Sequence, residues 1–126
     1  MSFMNRLGNC TNPYQGEFKR VLCVCSAGLL RSPTAALVLS QEPFNHNTRA
    51  AGIDGEFALV EVDDVLLTWA DEVVCMSEFQ QERLVGKLKK LDIQKTIINL
   101  DIPDSFSYRD LKLQKLIIDG YRKAQQ

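Results

Sequence analysis

The chain has 126 residues, of which 45% are hydrophobic, and its formal net charge is −1. These values fit one domain with a proper core, and they give no overall attraction to nucleic acid or to an anionic membrane. The sequence has no apolar stretch of membrane-spanning length, no signal-peptide core in its first twenty residues and four irregularly spaced cysteines. We therefore expect a cytoplasmic protein with reduced thiols, and neither nucleic acid nor membrane as a partner.

Residues 1–19 carry turn-forming residues and have no hydrophobic periodicity. We predict an N-terminal arm over this segment, followed by a single domain over 20–126. An arm on the surface is favoured over one whose Tyr14 folds across a cleft.

Apolar runs typical of strands alternate with helical periodicity along the rest of the chain. This alternation predicts an α/β fold, a three-layer sandwich around a four-stranded parallel sheet with right-handed crossovers. Ser77 and Gln80 have the spacing of a capping box at the start of the third helix. The predicted elements are a strand over 20–24, a helix over 33–41, a strand over 48–51, a helix over 62–70, a strand over 72–76, a helix over 78–90, a strand over 96–100 and a helix over 109–124.

The first predicted strand leads directly into a short loop and a helix start, in the sequence CSAGLLRSP over 25–33. Ser32 is a good N-cap and Pro33 suits the first helical position, so the helix is predicted to begin here. A loop that enters a helix N-terminus points several backbone N–H groups at one spot, where the helix dipole adds positive charge. Arg31 adds a planar fork for two phosphate oxygens. The predicted phosphate-binding residues are Ser26, Ala27, Gly28, Leu29, Leu30 and Arg31.

Cys25 lies at the base of this predicted cradle. Thiols beside a helix N-terminus and an arginine ionise readily, so we expect Cys25 to be a thiolate nucleophile. The Ser32 hydroxyl is well placed to steady that thiolate, while His46 lies far outside the motif. Cys23 should share a strand face with Cys25 and is interpreted as a buried structural thiol. Attack on a phosphate monoester would give a cysteinyl-phosphate, and this chemistry needs no metal or cofactor.

A loop with two aspartates and two aromatic residues follows the last predicted strand. Either Asp101 or Asp104 could protonate the leaving group and later activate water. Because the carboxyl ends of parallel strands share one edge of a sheet, this loop is expected to meet Cys25. Phe106 and Tyr108 could line the cleft or cover the core.

The order of these motifs, with the nucleophile and arginine first and the aspartate loop last, resembles the low-molecular-weight protein tyrosine phosphatases. The resemblance covers most of residues 20–122, and within the family the chain looks most like a short bacterial or phage branch. It implies the phosphatase I-like fold and assigns the acid to Asp104, with Asp101 as runner-up and Ser105 where proline is usual. Leu30 stands where the family often has a second cysteine, which implies that Cys25 has little local protection from oxidation.

The leading hypothesis is a protein tyrosine phosphatase whose substrate is a phosphotyrosine protein or another aryl phosphate. A phosphocysteine carrier similar to sugar phosphotransferase IIB components is an alternative, although Arg31 and Asp104 argue against it. Arsenate reduction would need further cysteines in a mobile segment, and Cys75 in its apparent strand is a poor match. The third alternative is a catalytically weak module that binds phosphorylated partners.

Overall fold

The computed structural model describes residues 18–26, 31–53, 60–103, 105 and 110–125. The predicted N-terminal arm, with Tyr14, lies outside these residues as far as residue 17. Strands and helices alternate in the predicted order. The elements are β1 (Arg20–Cys25), α1 (Arg31–Leu39), β2 (Asn47–Gly52), α2 (Asp64–Trp69), β3 (Glu72–Cys75), α3 (Glu78–Leu91), β4 (Thr96–Asn99) and α4 (Leu111–Ala124).

The strands form one four-stranded sheet in the order β2-β1-β3-β4, and every neighbouring pair is parallel. β1 lies between β2 and β3, and its Cys25 is in register with Gly52 of β2. The predicted α/β fold with a four-stranded parallel sheet is confirmed. All four strands therefore point their carboxyl ends at the same edge of the sheet.

Side chains of β1 alternate between two separate hydrophobic clusters, one on each face of the sheet. Val21, Cys23 and Cys25 pack with residues of α1 and α4, whereas Leu22 and Val24 pack with residues of α2 and α3. Burial on both faces explains why β1 is an almost uninterrupted apolar run. The two helical layers with the sheet between them make the expected three-layer sandwich.

Three helix starts differ from the sequence-based prediction. α4 begins at Leu111 and not at residue 109, because the side chain of Asp110 accepts hydrogen bonds from the Lys112 and Leu113 N–H groups. α1 begins at Arg31, so Ser32 lies within its first turn and is not the N-cap. α2 begins at Asp64, because the side chain of Asp63 accepts a hydrogen bond from the Leu66 N–H and ends the preceding extended segment. The Ser32 hydroxyl is thus left for contacts outside its own helix.

Candidate functional site

Cys25 is the last residue of β1 and is only 3% exposed. Its carbonyl oxygen accepts a 2.9 Å hydrogen bond from the Ile53 N–H, which extends the pairing between β1 and β2 by one residue. The thiol is therefore held at the carboxyl edge of the sheet by two rigid neighbouring strands. Among the predicted loop residues, Ala27, Gly28, Leu29 and Leu30 lie outside the described part of the chain.

The Ser32 hydroxyl lies 3.1 Å from the Cys25 sulfur and 3.4 Å from the Ala51 carbonyl oxygen. A hydroxyl has one proton to donate, so its direction depends on the state of the thiol. A thiolate sulfur can only accept, and Ser32 then donates to it. When Cys25 carries its proton, the S–H can donate to Ser32 and the Ser32 proton can turn to Ala51. Ser32 therefore lies beside the predicted nucleophile, as expected, although it is not the N-cap of α1.

Arg31, the first residue of α1, is 5% exposed and reaches the segment after β4. Its Nη1 donates a 2.7 Å hydrogen bond to the carbonyl oxygen of Ile102. The interaction joins residues 71 positions apart in the sequence. A positive charge at the start of α1 is thereby held beside both the end of β1 and the predicted acid loop.

The segment after β4 continues along the end of β3. The Leu100 N–H donates to the Cys75 carbonyl, and the Ile102 N–H donates to the Met76 carbonyl, each at 2.9 Å. Asp101, between them, is exposed and has a φ of 54°, and its N–H donates to the Asn99 side chain at 2.8 Å. Asp104, Phe106 and Tyr108 lie outside the described residues, two to six positions beyond Ile102.

The structure adds Gln80, which the sequence had assigned only to helix capping. The Gln80 N–H does donate to the Ser77 side chain at 3.3 Å, as predicted. The Gln80 side chain, however, does not return to the Ser77 N–H as in a capping box: its Oε1 accepts from the Met76 N–H at 2.7 Å, and its Nε2 donates to the Ser26 hydroxyl at 3.3 Å. Gln80 is 1% exposed, so its bond to Met76 is buried, whereas its bond to Ser26 is only partly buried.

The other described cysteines have environments unlike that of a nucleophile. Cys23 is fully buried and belongs to the same cluster as Cys25, as predicted. Burial raises the pKa of the Cys75 thiol to about 11, although a backbone hydrogen bond with Ser77 acts in the opposite direction. At neutral pH, Cys75 is therefore a protonated core residue.

Two further features concern the described residues only. They contain no group of three metal-ligating side chains, and none of their helices is long and apolar enough to cross a membrane. A groove of about 400 Å³ lies beside Asn99, and the other residues lining it are Glu78, Gln81, Glu82 and Val85. Its two glutamates make it an unsuitable place for a phosphate group.

Fold and site together describe an α/β protein with a buried thiol at the carboxyl edge of a parallel sheet, beside a helix whose first two residues are Arg31 and Ser32. A solved structure with this fold is the YwlE arginine phosphatase from Geobacillus stearothermophilus, with a TM-score of 0.62. The two chains are 21% identical, and the match covers 85% of this chain and 93% of the other. No family model and no curated protein matches the sequence. The likeness establishes the shared fold.

Proposed function

We propose that the chain is a cysteine-dependent phosphate monoester hydrolase that acts on phosphotyrosine or similar aryl phosphates. The observation that carries this proposal is the position of Cys25, 3.1 Å from the Ser32 hydroxyl and at the sheet edge where α1 begins. A thiol at a helix N-terminus with an arginine beside it meets the requirements of a phosphate-attacking nucleophile.

In the first step, the Cys25 sulfur forms a bond to phosphorus while the bond from phosphorus to the leaving oxygen breaks. Backbone N–H groups of residues 26–31 and the Arg31 guanidinium stabilise the equatorial oxygens. A proton from Asp104 goes to the leaving oxygen. In the second step, Asp104 accepts a proton from water, whose oxygen binds phosphorus as the S–P bond breaks, and Cys25 leaves as a thiolate stabilised by Ser32.

The acid role of Asp104 is supported by the path of the chain leading to it. Ile102 is bonded to Arg31 through its carbonyl and to Met76 through its N–H, which brings the segment before Asp104 to the Cys25 edge of the sheet. Asp101 remains the runner-up. Its exposed position and its backbone bond to the Asn99 side chain suit a turn-forming residue.

A second candidate substrate is a phosphorylated arginine side chain, because the YwlE structure that shares the fold is named an arginine phosphatase. At the proposed site both reactions would use Cys25 as the nucleophile and the same phosphate loop, so they differ only in the atom that leaves phosphorus, which is oxygen in the ester and nitrogen in phosphoarginine. Peptides that carry phosphotyrosine, phosphoserine or phosphoarginine distinguish them. Preference for phosphoarginine would replace the aryl phosphate proposal and keep the hydrolase mechanism.

The first experiment measures hydrolysis of para-nitrophenyl phosphate by the wild type and by Cys25→Ser. We expect turnover in the wild type and none above background in Cys25→Ser. Cys75→Ala is the matched control, because the buried Cys75 thiol, with its pKa of about 11, takes no part. Turnover that survives Cys25→Ser contradicts the proposal, and a stable phosphocysteine without phosphate release identifies a carrier instead.

The second experiment identifies the acid by comparing leaving groups. Removal of a general acid costs about 10²- to 10⁴-fold, and the cost is largest for leaving groups that need the proton most. We therefore expect Asp104→Asn to slow phenyl phosphate hydrolysis far more than para-nitrophenyl phosphate hydrolysis. Asp101→Asn is the control, because asparagine tolerates the positive φ at this position. A large leaving-group effect in Asp101→Asn alone transfers the acid role to Asp101.

A further inference from the structure

The hydrogen bonds of Gln80 fix the orientation of its side-chain amide. The Met76 N–H can only donate, so the atom facing it must be the amide oxygen. The amide nitrogen therefore faces Ser26 and donates to its hydroxyl oxygen. That bond uses an oxygen lone pair, and the Ser26 proton stays available for another acceptor.

Gln80 also completes a chain of contacts between the two ends of the predicted phosphate loop. Ser26 follows Cys25 at the start of the loop, and it is tied through Gln80 to Met76. The Met76 carbonyl accepts from the Ile102 N–H, and the Ile102 carbonyl accepts from Arg31 at the end of the loop. Both ends of the loop are thus connected by hydrogen bonds to Met76, the residue that follows β3.

We propose that Gln80 is a positioning residue of the phosphate loop, which fixes Ser26 and leaves the Ser26 hydroxyl proton directed to an anion bound there. This inference rests on the proposed function, since it takes the loop over 26–31 as the phosphate site. Gln80 acts on the bound anion through Ser26. The bond between Gln80 and Ser26 is partly buried, which makes it stronger than the same bond in water.

Three single variants separate positioning from simple stabilisation. Gln80→Met keeps the length of the side chain and removes both of its bonds. Gln80→Glu keeps the acceptor for the Met76 N–H but can only accept from Ser26, so the Ser26 proton turns away from the anion. Ser26→Ala removes the partner and leaves Gln80 intact. Gln81→Met, on the next residue of α3, is the matched control.

The measurements are the dissociation constant of inorganic phosphate, taken without turnover, and the KM and kcat for para-nitrophenyl phosphate. We expect Ser26→Ala to weaken phosphate binding about 10- to 100-fold, which is the usual effect of one lost hydrogen bond to a charged group. Gln80→Met should weaken it by a smaller factor, because the Ser26 hydroxyl is kept and only its positioning is lost. Gln80→Glu should weaken binding further, because its carboxylate also repels the anion. In the Ser26→Ala background, Gln80→Met should add little, and Gln81→Met should bind as the wild type does.

Unchanged phosphate affinity in Gln80→Met, Gln80→Glu and Ser26→Ala overturns the inference, even if the melting temperature falls. The result also separates the inference from the proposed function. Weakened phosphate binding in these variants, in a protein that hydrolyses no ester, supports the inference and refutes the function. If the wild type hydrolyses esters and the Gln80 variants bind phosphate as the wild type does, the function is supported and the inference is refuted. A wild type that binds no phosphate refutes both.

Discussion

The Ser32 hydroxyl, in the first turn of α1, is a direct neighbour of the Cys25 sulfur. The sequence predicts both an N-cap and a contact with Cys25 for this residue. Only the contact, at 3.1 Å, is present, because α1 begins two residues earlier than expected. The fully buried hydroxyl is held between the Cys25 sulfur and the Ala51 carbonyl.

This placement predicts a catalytic defect in Ser32→Ala. A hydrogen bond to a charged group is worth about 1.5–3 kcal/mol, so we expect kcat for para-nitrophenyl phosphate to fall roughly 10- to 100-fold. Ser40→Ala is the control, because the Ser40 hydroxyl donates only to the Leu37 carbonyl at the far end of the same helix. Wild-type kcat in Ser32→Ala would show that the thiolate does not use this hydroxyl.

The helix α3 has stabilising residues at both of its ends but a glycine, Gly86, in its interior. Ser77 caps its first turn, Lys89 and Lys90 complement its last turn, and Leu84 and Leu88 anchor it in the core. Gly86, in between, is exposed, and a methyl group added there would meet no atom within 4 Å. Glycine in a helix interior therefore costs stability here without any steric reason for its presence.

Gly86→Ala should consequently stabilise the protein. We expect a gain of about 0.5–1 kcal/mol in the free energy of unfolding, measured by urea denaturation, because alanine loses less backbone entropy in a helix. Gly120→Ala in α4 is the matched comparison and should gain less, since its Cβ would lie 3.3 Å from the Leu100 side chain. A larger gain at residue 120 would contradict this reasoning.

A polar cluster of Lys19, His46, Glu72 and Tyr121 lies at the edge of the sheet opposite Cys25. It connects the residues that precede β1 and β2 with β3 and α4. Tyr121 of α4 donates to the buried Glu72 carboxylate at 2.7 Å, and Lys19 forms an ion pair with the same carboxylate at 3.3 Å. The Tyr121 oxygen also lies 3.0 Å from Nε2 of His46. Tyr121 has already used its proton, so the imidazole must donate through Nε2.

The cluster explains why His46 resists protonation. Its Nδ1 is buried and has no hydrogen-bond partner among the described residues. Burial, followed by the nearby charge of Lys19, lowers the pKa of His46 below its ordinary 6.5, against the smaller opposite effect of Glu72. Unfolded chains therefore bind a proton at His46 at a higher pH than folded ones, and acid favours unfolding.

We accordingly expect the contribution of His46 to stability to be complete above pH 6.5 and to be lost as the pH falls toward the lower folded pKa. Urea denaturation at pH 7.5, 6.5 and 5.5 should show a steeper loss for the wild type than for His46→Gln, which can still donate to Tyr121. Asp71 does not interfere, because its hydrogen bonds with Arg20 lower its pKa below 3.8. Equal slopes in the two proteins would refute the prediction.

Features that depend on residues close in the sequence could be predicted, whereas contacts between distant residues could not. The β1 strand, the helix after residue 30 and the cap at Ser77 were predicted because each depends on neighbouring residues, through apolar runs, periodicity and capping side chains. The pairing of the strands in parallel followed from their alternation with helices. The boundaries were less exact, as at α1, where a capping preference did not decide the first residue.

The alternation of strands and helices along the sequence predicts the α/β architecture, and the parallel direction of the strands predicts that Cys25, Arg31 and the aspartate loop meet at one edge of the sheet. Only the tertiary structure decided the partners of the polar side chains. Gln80 meets Ser26 across 54 positions and Arg31 meets Ile102 across 71. Such bonds depend on how helices and strands pack, and no local pattern in the sequence records them.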